Sequence, residues 1–172
     1  MKNTKHNYFM EKAIKEAEQA LKAREFPVGC VMVYNNEIIA NGSRKGTAKQ
    51  VKNEIDHAEI ICLKNLFEIE KKQEIDKNKI TVYCTMEPCL MCYGALLINN
   101  IRNIVYSYED AMGGGTGARL ESLPPLYSKN PVNIVPGILR EKSLRIFQEF
   151  FSSPDNSYLD NTLLAKYTLE QI

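Results

Sequence analysis

The order of helical and strand patterns along the chain constrains the fold more than any other feature of this sequence. Apolar side chains from Met10 to Leu21 recur at helical spacing, so we expect an amphipathic helix over residues 5–24. Two β-rich runs follow, Val28 to Tyr34 and Glu37 to Ala40, and the Asn-Asn pair between them is typical of a hairpin turn. Helices and strands then interleave as αββαβαβ with a closing helix, which predicts an α/β fold in which helices cover a sheet.

The later elements are separated by stretches rich in charge, glycine or proline. The longest such stretch, EDAMGGGTGARLESLPPL, begins at Glu109, and long loops of this kind are often functional. The predicted elements are a helix from near Asp56, a strand at ITVYCT, a helix opened by Pro88, a strand at RNIVYSY, a strand at VNIV, a helix over about Ile138 to Phe151 and a final helix in the tail YLDNTLLAKYTLEQI.

Length and composition indicate one domain and argue against several classes of protein. The chain has 172 residues, 44% of them hydrophobic, which suits a single domain with its own core. Its 22 basic and 21 acidic side chains nearly cancel, so composition alone does not predict wholesale attraction to nucleic acid or to an acidic membrane. Because the sequence has neither a long apolar run nor the apolar stretch of a secretion signal, we expect no membrane span and a cytoplasmic location.

One of the two histidines, His57, lies in the stretch DHAEI, two residues before Glu59. Taken alone, this stretch favours ordinary helix capping, with Asp56 at the N-cap and Glu59 reaching back to it as in a capping box. The stretch indicates a metal site only when it is considered together with a pair of cysteines downstream.

Two of the five cysteines, Cys89 and Cys92, occur three residues apart in the stretch PCLMC. Thiols at this spacing in the first turn of a helix face the same way, and the helix N-terminus stabilises them as thiolates. With His57 they would supply three ligands for a zinc ion and leave the fourth tetrahedral position open to water, as in a catalytic site. The remaining cysteines lie among apolar neighbours and are predicted to be buried thiols without disulfides: Cys30, Cys62 and Cys84.

In that arrangement Glu59 would stand beside a zinc-activated water instead of capping the helix. Zinc lowers the pKa of its bound water to around seven, and a carboxylate that is not a ligand can take that proton and return it to a leaving amine. The motif H-x-E, here His57 to Glu59, followed by P-C-x-x-C, here Pro88 to Cys92, is the signature of zinc deaminases that act on nucleobases. The 28 residues between the two motifs suit one helix, a connector and one strand.

With these motifs the sequence resembles the cytidine-deaminase-like superfamily, and within it the branch of tRNA adenosine deaminases, guanine deaminases and fungal-type cytosine deaminases. The resemblance covers about residues 5–151 and includes FPVG at 26–29, HAE at 57–59, TMEPCLMCYGAL at 85–96 and GILREKSLRIFQEFF at 137–151. It implies a three-layer fold with a central five-stranded mixed sheet and helices on both faces, assembled as a homodimer.

The resemblance also implies a role for individual residues. Glu59 would be the catalytic proton carrier, the backbone of Ala58 would meet a carbonyl group or ring nitrogen of the base, and Val28 would pack against its face. The reaction would be hydrolytic, because water attacks the ring carbon that bears the exocyclic amine and ammonia leaves. The implied ligands of one zinc ion per chain are His57, Cys89 and Cys92.

Several positions depart from the family pattern and bear on the substrate. Arg44 stands where related enzymes usually carry an asparagine that hydrogen-bonds the base or sugar, and Asn41 and Asn53 are alternative candidates for that contact. Met112 stands where the tRNA-editing branch typically has a lysine suited to a phosphate, whereas Asp110 is retained. We therefore expect Arg44 and Asp110 to contact the substrate.

The two ends of the chain are predicted to differ in role. Residues 1–153 would form the deaminase domain, and residues 154–172 an extension that is a lid over the site, a strap onto a partner subunit or a terminal helix that simply packs. This extension is acidic, whereas editing enzymes tend to end in a basic helix. Lys45, Lys49 and Lys52 offer phosphate ligands in its place, or form an ordinary solvated loop.

These observations support three functional hypotheses. The first is a hydrolytic zinc deaminase of a small nucleobase, nucleoside or related compound, preferably a purine, whose base edge Glu109 or Asp110 would read. The second is a tRNA adenosine-to-inosine deaminase that acts at the wobble position of the anticodon. The third is a non-catalytic structural zinc module, which would need a fourth protein ligand that the sequence does not offer near the motifs.

Overall fold

Runs rich in β-branched and aromatic residues form a five-stranded mixed sheet. The computed structural model describes residues 2–171, with side chains from Thr4 onward. Met1 and Ile172, the first and last residues of the two predicted regions, lie outside the described residues. The strands are β1 Gly29–Tyr34, β2 Glu37–Ser43, β3 Thr81–Met86, β4 Asn103–Tyr108 and β5 Asn133–Val135. Across the sheet they lie in the order β2-β1-β3-β4-β5.

The pairing of the strands combines a hairpin with parallel crossovers. β1 and β2 form the predicted antiparallel hairpin, although β2 continues past the predicted end at Ala40 to Ser43. Asn35 and Asn36 have φ angles of 50° and 67°, the left-handed values that a type I′ turn requires. β1 also pairs antiparallel with β3, whereas β3 with β4 and β4 with β5 are parallel, so the sheet is mixed as the resemblance implies.

Helices cover both faces of the sheet, which confirms the predicted three-layer α/β fold. Their bounds are α1 Lys2–Lys22, α2 Ala58–Glu70, α3 Leu90–Ile98, α4 Pro125–Ser128, α5 Arg140–Ser152 and α6 Leu163–Glu170, with 3₁₀ turns at Lys77–Lys79 and Leu120–Ser122. Neighbouring residues of β1 face opposite layers: Val31 packs in a cluster with Met10 of α1, and Met32 in a cluster with Cys62 of α2. Within residues 2–171, no helix has the length and apolarity needed to cross a membrane.

The prediction that three cysteines are buried thiols is confirmed. Cys30, Cys62 and Cys84 are fully buried and free, and all three belong to the cluster under α2. The Sγ atoms of Cys30 and Cys84, on paired strands, lie 3.8 Å apart. These thiols therefore act as small apolar side chains of the core.

The start of α2 differs from the prediction. The helix begins at Ala58 with His57 at the N-cap, two residues after the predicted Asp56. Asp56 does not cap the helix because its carboxylate instead accepts a hydrogen bond of 2.7 Å from Nδ2 of Asn53. The capping-box interpretation is therefore wrong: no side chain caps this end, and Glu59 turns into the interior.

Two later helices also begin two residues after their predicted first residues. α3 starts at Leu90, not at Pro88, because Cys89 has extended backbone angles and serves as the N-cap. α5 starts at Arg140, not at Ile138, because Leu139 has a left-handed φ of 56°. Both cysteines of the PCLMC stretch therefore lie within one turn of a helix N-terminus.

Close contact between α2 and β2 fixes the position of the first turn of α2. A Cβ atom built on Gly42 would lie 2.4 Å from the carbonyl oxygen of Ala58 and 2.7 Å from the backbone nitrogen of Cys62. The helix therefore rests directly on the backbone of β2. This contact determines where the side chains of His57 and Glu59 are placed.

The C-terminal segment folds back onto the end of the sheet. Leu164 and Ala165 of α6 are buried, and the hydroxyl of Tyr108 in β4 donates to Oγ1 of Thr168 over 3.2 Å. α6 also packs against α5, so the segment after residue 153 shares the core of the rest of the chain.

We expect Gly42→Ala to destabilise the fold and to disturb the first turn of α2, because the added methyl group would overlap the helix backbone. Overpacking of this kind costs about 1–3 kcal/mol. Thermal unfolding should show a lower midpoint, and the zinc content of the purified protein should fall. Gly117→Ala is the matched control, since a Cβ atom there meets nothing within 4 Å. A Gly42→Ala protein as stable as the control would contradict this account of the packing.

Candidate metal centre and active-site pocket

The residues that form the site lie at one edge of the sheet, where several strand ends meet. The start of β1 lies beside the end of β2, where Gly29 pairs with Ser43, and beside the end of β3, where Cys30 pairs with Cys84. β4 runs parallel to β3 and ends at the same edge. Ligand sites of open α/β sheets commonly lie at such an edge. The residues just beyond these strand ends are Val28, Arg44, Cys89 and Asp110.

Three predicted metal ligands meet at this edge. The ligand atoms of His57, Cys89 and Cys92 all lie within 4.8 Å of one another, and Sγ of Cys89 is 3.6 Å from Nδ1 of His57. His57 is the N-cap of α2 and Cys89 is the N-cap of α3, so the N-termini of two helices converge on the group. Among the described residues no fourth side chain belongs to the group, and Glu59 is not part of it.

The electrostatics of the cysteine pair suit a cation. A hydrogen bond with Cys92, helped by one with His57, lowers the pKa of the Cys89 thiol to about 4, so this sulfur is a thiolate at neutral pH. The same hydrogen bond and burial raise the pKa of Cys92 well above its ordinary value. A metal ion would displace the remaining proton, and one imidazole with two thiolates is a ligand set that zinc prefers. The residues present therefore fit zinc, and they leave one tetrahedral position open.

Glu59 lies beside the three ligands with one oxygen atom free. Its side chain is 3% exposed, and Oε2 is buried with no hydrogen-bond partner among the described residues. Burial raises the pKa of this carboxyl group above its usual range. An unpartnered buried carboxylate is costly in a purely structural role, so its position favours a chemical one.

A cavity of about 220 Å³ opens beside the ligands. It brings together most of the residues that the sequence analysis predicted for the site, from both motifs and from the strand ends. Cys92 is fully buried and does not line the cavity. The predicted residues that line the cavity are Val28, Arg44, His57, Ala58, Glu59, Cys89 and Asp110.

Arg44 occupies the cavity, and the two asparagines considered as alternatives do not. Nδ2 of Asn41 donates to Glu16 over 2.7 Å on the exposed edge of β2. The side chain of Asn53 is held by Asp56 and by the backbone of residues 55 and 56. Neither asparagine therefore lines the cavity. Arg44, at the position where related enzymes usually carry an asparagine, does line it.

The two acidic residues after β4 have different surroundings. Asp110 lines the cavity, but its Oδ1 already accepts hydrogen bonds from the backbone of Met112 at 3.0 Å and Gly113 at 2.8 Å. Burial raises the pKa of Asp110 above its usual range. Glu109 lies outside the cavity, where it forms an ion pair with Arg140. Of the two candidates for reading a base edge, only Asp110 therefore faces the cavity.

Glu87, which the sequence analysis did not single out, ties the glycine-rich loop to the metal centre. Its carboxylate accepts hydrogen bonds from the hydroxyl and backbone of Thr116 and from the backbone of Asp110. A Cβ atom at Gly115 would lie 2.6 Å from the backbone nitrogen of Leu90, so the loop lies directly against the start of α3. The three consecutive glycines at 113–115 are the sequence feature from which this close approach could have been predicted.

The far wall of the cavity comes from residues that motif reasoning missed. Tyr158, Leu159 and Leu164 reach it from the C-terminal segment, and Phe26 and Met86 complete its apolar surface. No local pattern indicates these contacts, because they join positions that are far apart along the chain.

Comparison with known proteins decides the family. The family model described as the cytidine and deoxycytidylate deaminase zinc-binding region matches residues 3–108. The chain belongs to this family. The matched span contains His57, Glu59, Cys89 and Cys92, so the predicted resemblance is confirmed. This deaminase is a zinc-dependent hydrolase of carbon–nitrogen bonds, and the hypothesis of a non-catalytic zinc module is not supported.

The curated relatives of the deaminase include proteins that act on tRNA. It is 32% identical over 151 residues to tRNA-specific adenosine deaminase 2 of Xenopus laevis, with 83% of this chain and 84% of that protein covered. It is also 32% identical over 145 residues to a tRNA-specific adenosine deaminase of Streptococcus pyogenes, with 84% and 88% covered.

Solved structures share the fold of the deaminase. A chain from work on A-to-I editing by tRNA:A34 deaminases at the wobble position is 30% identical, with a TM-score of 0.67 and with 81% of this chain and 98% of that chain covered. The protein NE0047, solved as a mutant with 8-azaguanine, is 19% identical with a TM-score of 0.66. That match covers 84% of this chain and 83% of NE0047, and at this identity it supports the fold alone.

We expect Glu59→Gln to keep zinc and to lose deaminase turnover by roughly two to four orders of magnitude, as for an essential proton carrier. Ammonia release and metal analysis on the same preparation separate the two properties. Cys92→Ser should instead lose most of its zinc. Glu68→Gln, on the exposed side of the same helix, is the matched control and should behave as wild type. Full turnover by Glu59→Gln would remove Glu59 from the chemistry.

Proposed function

We propose that this deaminase converts adenosine to inosine at the wobble position of the tRNA anticodon, and that it acts in the cytoplasm. The observation that carries the proposal is its similarity, at about a third identity and over most of both chains, to tRNA-specific adenosine deaminases. These relatives favour the second hypothesis of the sequence analysis over the first, which placed small purines ahead of tRNA. The free cysteines fit a reducing compartment.

The proposed mechanism assigns the metal centre to His57, Cys89 and Cys92. These residues would hold a zinc ion, which when bound would supply Lewis-acid activation of water at neutral pH. Glu59, which lines the cavity and whose Oε2 has no hydrogen-bond partner among the described residues, would take a proton from water and deliver it to the exocyclic nitrogen of the base. The oxygen of the water replaces the amine on the ring carbon, and ammonia leaves, so adenosine and water give inosine and ammonia.

The walls of the cavity hold the base in this proposal. Val28 and Phe26 offer apolar surface to its ring, and the backbone at Ala58 lies at the first turn of α2 beside the metal ligands. The lining excludes bulk water from one side of the base, which strengthens the hydrogen bonds that orient it. We assign substrate contacts to Val28, Ala58, Arg44 and Asp110.

A second cleft next to the cavity offers room for the nucleotides that flank the target. Its volume is about 580 Å³, and Tyr158 lines both spaces. Arg24 and Lys52 line this cleft together with Glu149 and Asp155, and Lys49 is exposed on the neighbouring loop. These basic side chains can bind phosphates of a longer substrate, which Met112 cannot.

Deamination of a free purine base or nucleoside remains the second candidate because of the shape and charge of the cavity. The C-terminal segment walls one side of it, and its acidic lining residues outnumber Arg44. A small neutral compound fits such a site without the phosphate contacts that an RNA needs.

A substrate panel tests the two candidates directly. We expect the zinc-loaded protein to form inosine from an anticodon stem-loop RNA with adenosine at the wobble position, and to release little ammonia from free adenine, adenosine, guanine, guanosine, cytosine or cytidine. Inosine is measured by nuclease digestion and chromatography. A stem-loop with guanosine at the wobble position and the Glu59→Gln protein serve as controls. Ammonia from a free purine with no inosine in the RNA would reverse the assignment.

We also propose a homodimer, as the family resemblance implies. Met91 and Ile98, seven residues apart on one face of α3, are exposed, and so is Leu126 of α4, which packs against α3. Apolar side chains that cluster on a surface commonly mark an interface.

We expect Ile98→Glu to convert the dimer into a monomer, because a charge would enter an apolar interface. Sedimentation velocity of the purified variant gives the oligomeric state. Val51→Glu, at a more exposed apolar residue on the 43–55 loop, is the control and should sediment as wild type. A wild-type protein that sediments as a monomer would contradict the proposal.

A further inference from the structure

Arg44 is a buried charged side chain with an unused hydrogen-bond donor in the active-site cavity. Its side chain is 2% exposed. Nη2 donates to Oε2 of Glu54 over 2.7 Å and to the hydroxyl of Tyr158 over 3.2 Å. Nη1 is buried and has no hydrogen-bond partner among the described residues. Buried donors are nearly always satisfied, and Arg44 lines the cavity, so its unpaired guanidinium nitrogen indicates an acceptor on the ligand.

The charge around Arg44 indicates what kind of acceptor this is. Glu54 forms an ion pair with Arg44 and offsets its positive charge. Glu59, Glu87 and Asp110 add three carboxyl groups to the lining of the same cavity, which among the described residues has no lysine and no second arginine. An anionic group such as a phosphate would therefore meet no net positive charge at this wall. The acceptor is an uncharged atom, either on the base or on a ribose hydroxyl.

The C-terminal segment holds Arg44 in this position. The hydroxyl of Tyr158 accepts from Arg44 and donates to Glu54 over 2.8 Å, so the three side chains form a closed set of hydrogen bonds. The ring of Tyr158 also packs against Phe26, with centroids 5.5 Å apart. Leu159 and Leu164 follow Tyr158 onto the same wall. The pocket that Arg44 faces is therefore complete only when residues 158–164 are in place.

We propose that Arg44 is a specificity-determining residue that donates from Nη1 to an uncharged acceptor of the substrate, and that Tyr158 of the C-terminal segment positions it. This inference rests on the proposed function, because it assigns a substrate contact in the same cavity. It makes the extension a wall of its own chain's active site. Glu54, at the rim, is the counter-ion that keeps the guanidinium neutralised between substrates.

The test measures substrate affinity in the zinc-loaded Glu59→Gln background, where turnover is expected to be slower by roughly two to four orders of magnitude. The probes are an anticodon stem-loop with adenosine at the wobble position, the same stem-loop with 2′-deoxyadenosine there, and free guanosine with its 2′-deoxy analogue. Arg44→Gln should weaken the binding of the preferred probe roughly 10- to 100-fold, the usual effect of losing one hydrogen bond from a charged donor. Tyr158→Phe should weaken it less, by about 3- to 10-fold, because Arg44 stays but is held by one partner fewer.

The deoxy probes identify the acceptor. If Arg44 binds the 2′-hydroxyl, the difference between ribose and deoxyribose probes should disappear in Arg44→Gln. If Arg44 binds the base, Arg44→Gln should lose affinity for the ribose and the deoxyribose probes by the same factor. In active enzyme, both variants should raise KM more than they lower kcat, and Arg44→Lys should restore part of the affinity that Arg44→Gln loses. A role in folding alone would produce neither pattern.

The controls separate this inference from the proposed function. Arg145→Gln and Tyr8→Phe change exposed side chains of the same types and should bind as the parent does. Zinc content and the unfolding midpoint of each variant report whether it is folded. Unchanged affinity for every probe in Arg44→Gln, or no binding of any probe by the parent, would overturn the inference. Turnover of the stem-loop by wild type reports separately on the proposed function.

Discussion

The N-termini of α2 and α3 meet at one edge of the sheet, and the site depends on this convergence. Each helix presents its N-cap side chain, His57 or Cys89, to the same point, where partial positive charge from two helix ends favours a thiolate. α2 could not be placed so closely with a side chain at Gly42, nor could the glycine-rich loop lie so close to the start of α3 with one at Gly115. Glu87 holds the glycine-rich loop against the second helix. The backbone packing of the scaffold therefore decides the chemistry available at the metal.

Periodic patterns and turn residues were sufficient to predict an α/β fold in which helices cover a sheet, and the family resemblance implied helices on both of its faces. The first residues of the helices were not predictable. Asp56 has the side chain of a good N-cap, yet a nearby asparagine engages it, and the cap passes to His57. Pro88 suits the first turn of a helix, yet Cys89 stays extended and the helix begins after it. In both cases a contact outside the helix overrides the residue's own preference for the helix start: Asn53 engages Asp56, and Cys89 forms a β-bridge with Gly114. The same shift places two of the proposed metal ligands, His57 and Cys89, at the helix ends.

The metal side of the site could be predicted from sequence because its residues lie in two short motifs. The substrate side could not, because it is made by contacts between distant positions. Arg44 and Tyr158 are 114 residues apart, and nothing near either residue indicates the other. The departure at Arg44 is visible in the sequence as an unusual residue at a known position. Its meaning emerges only when Glu54 and the unpaired Nη1 are seen with it.

Charge divides the substrate-facing surface into two zones, and this division bears on how an RNA would bind. Inside the cavity, acidic groups outnumber Arg44, which suits a neutral base and disfavours a phosphate. Outside it, Arg24 and Lys52 line the adjoining cleft together with Glu149 and Asp155, so the charged side chains of that cleft balance. A nucleotide inserted into the cavity would therefore keep its phosphates at the rim, where Arg24, Lys52 and solvent stabilise them. Because Tyr158 borders both zones and also holds Arg44, the residue that shapes the entrance is the one that orients the specificity contact inside.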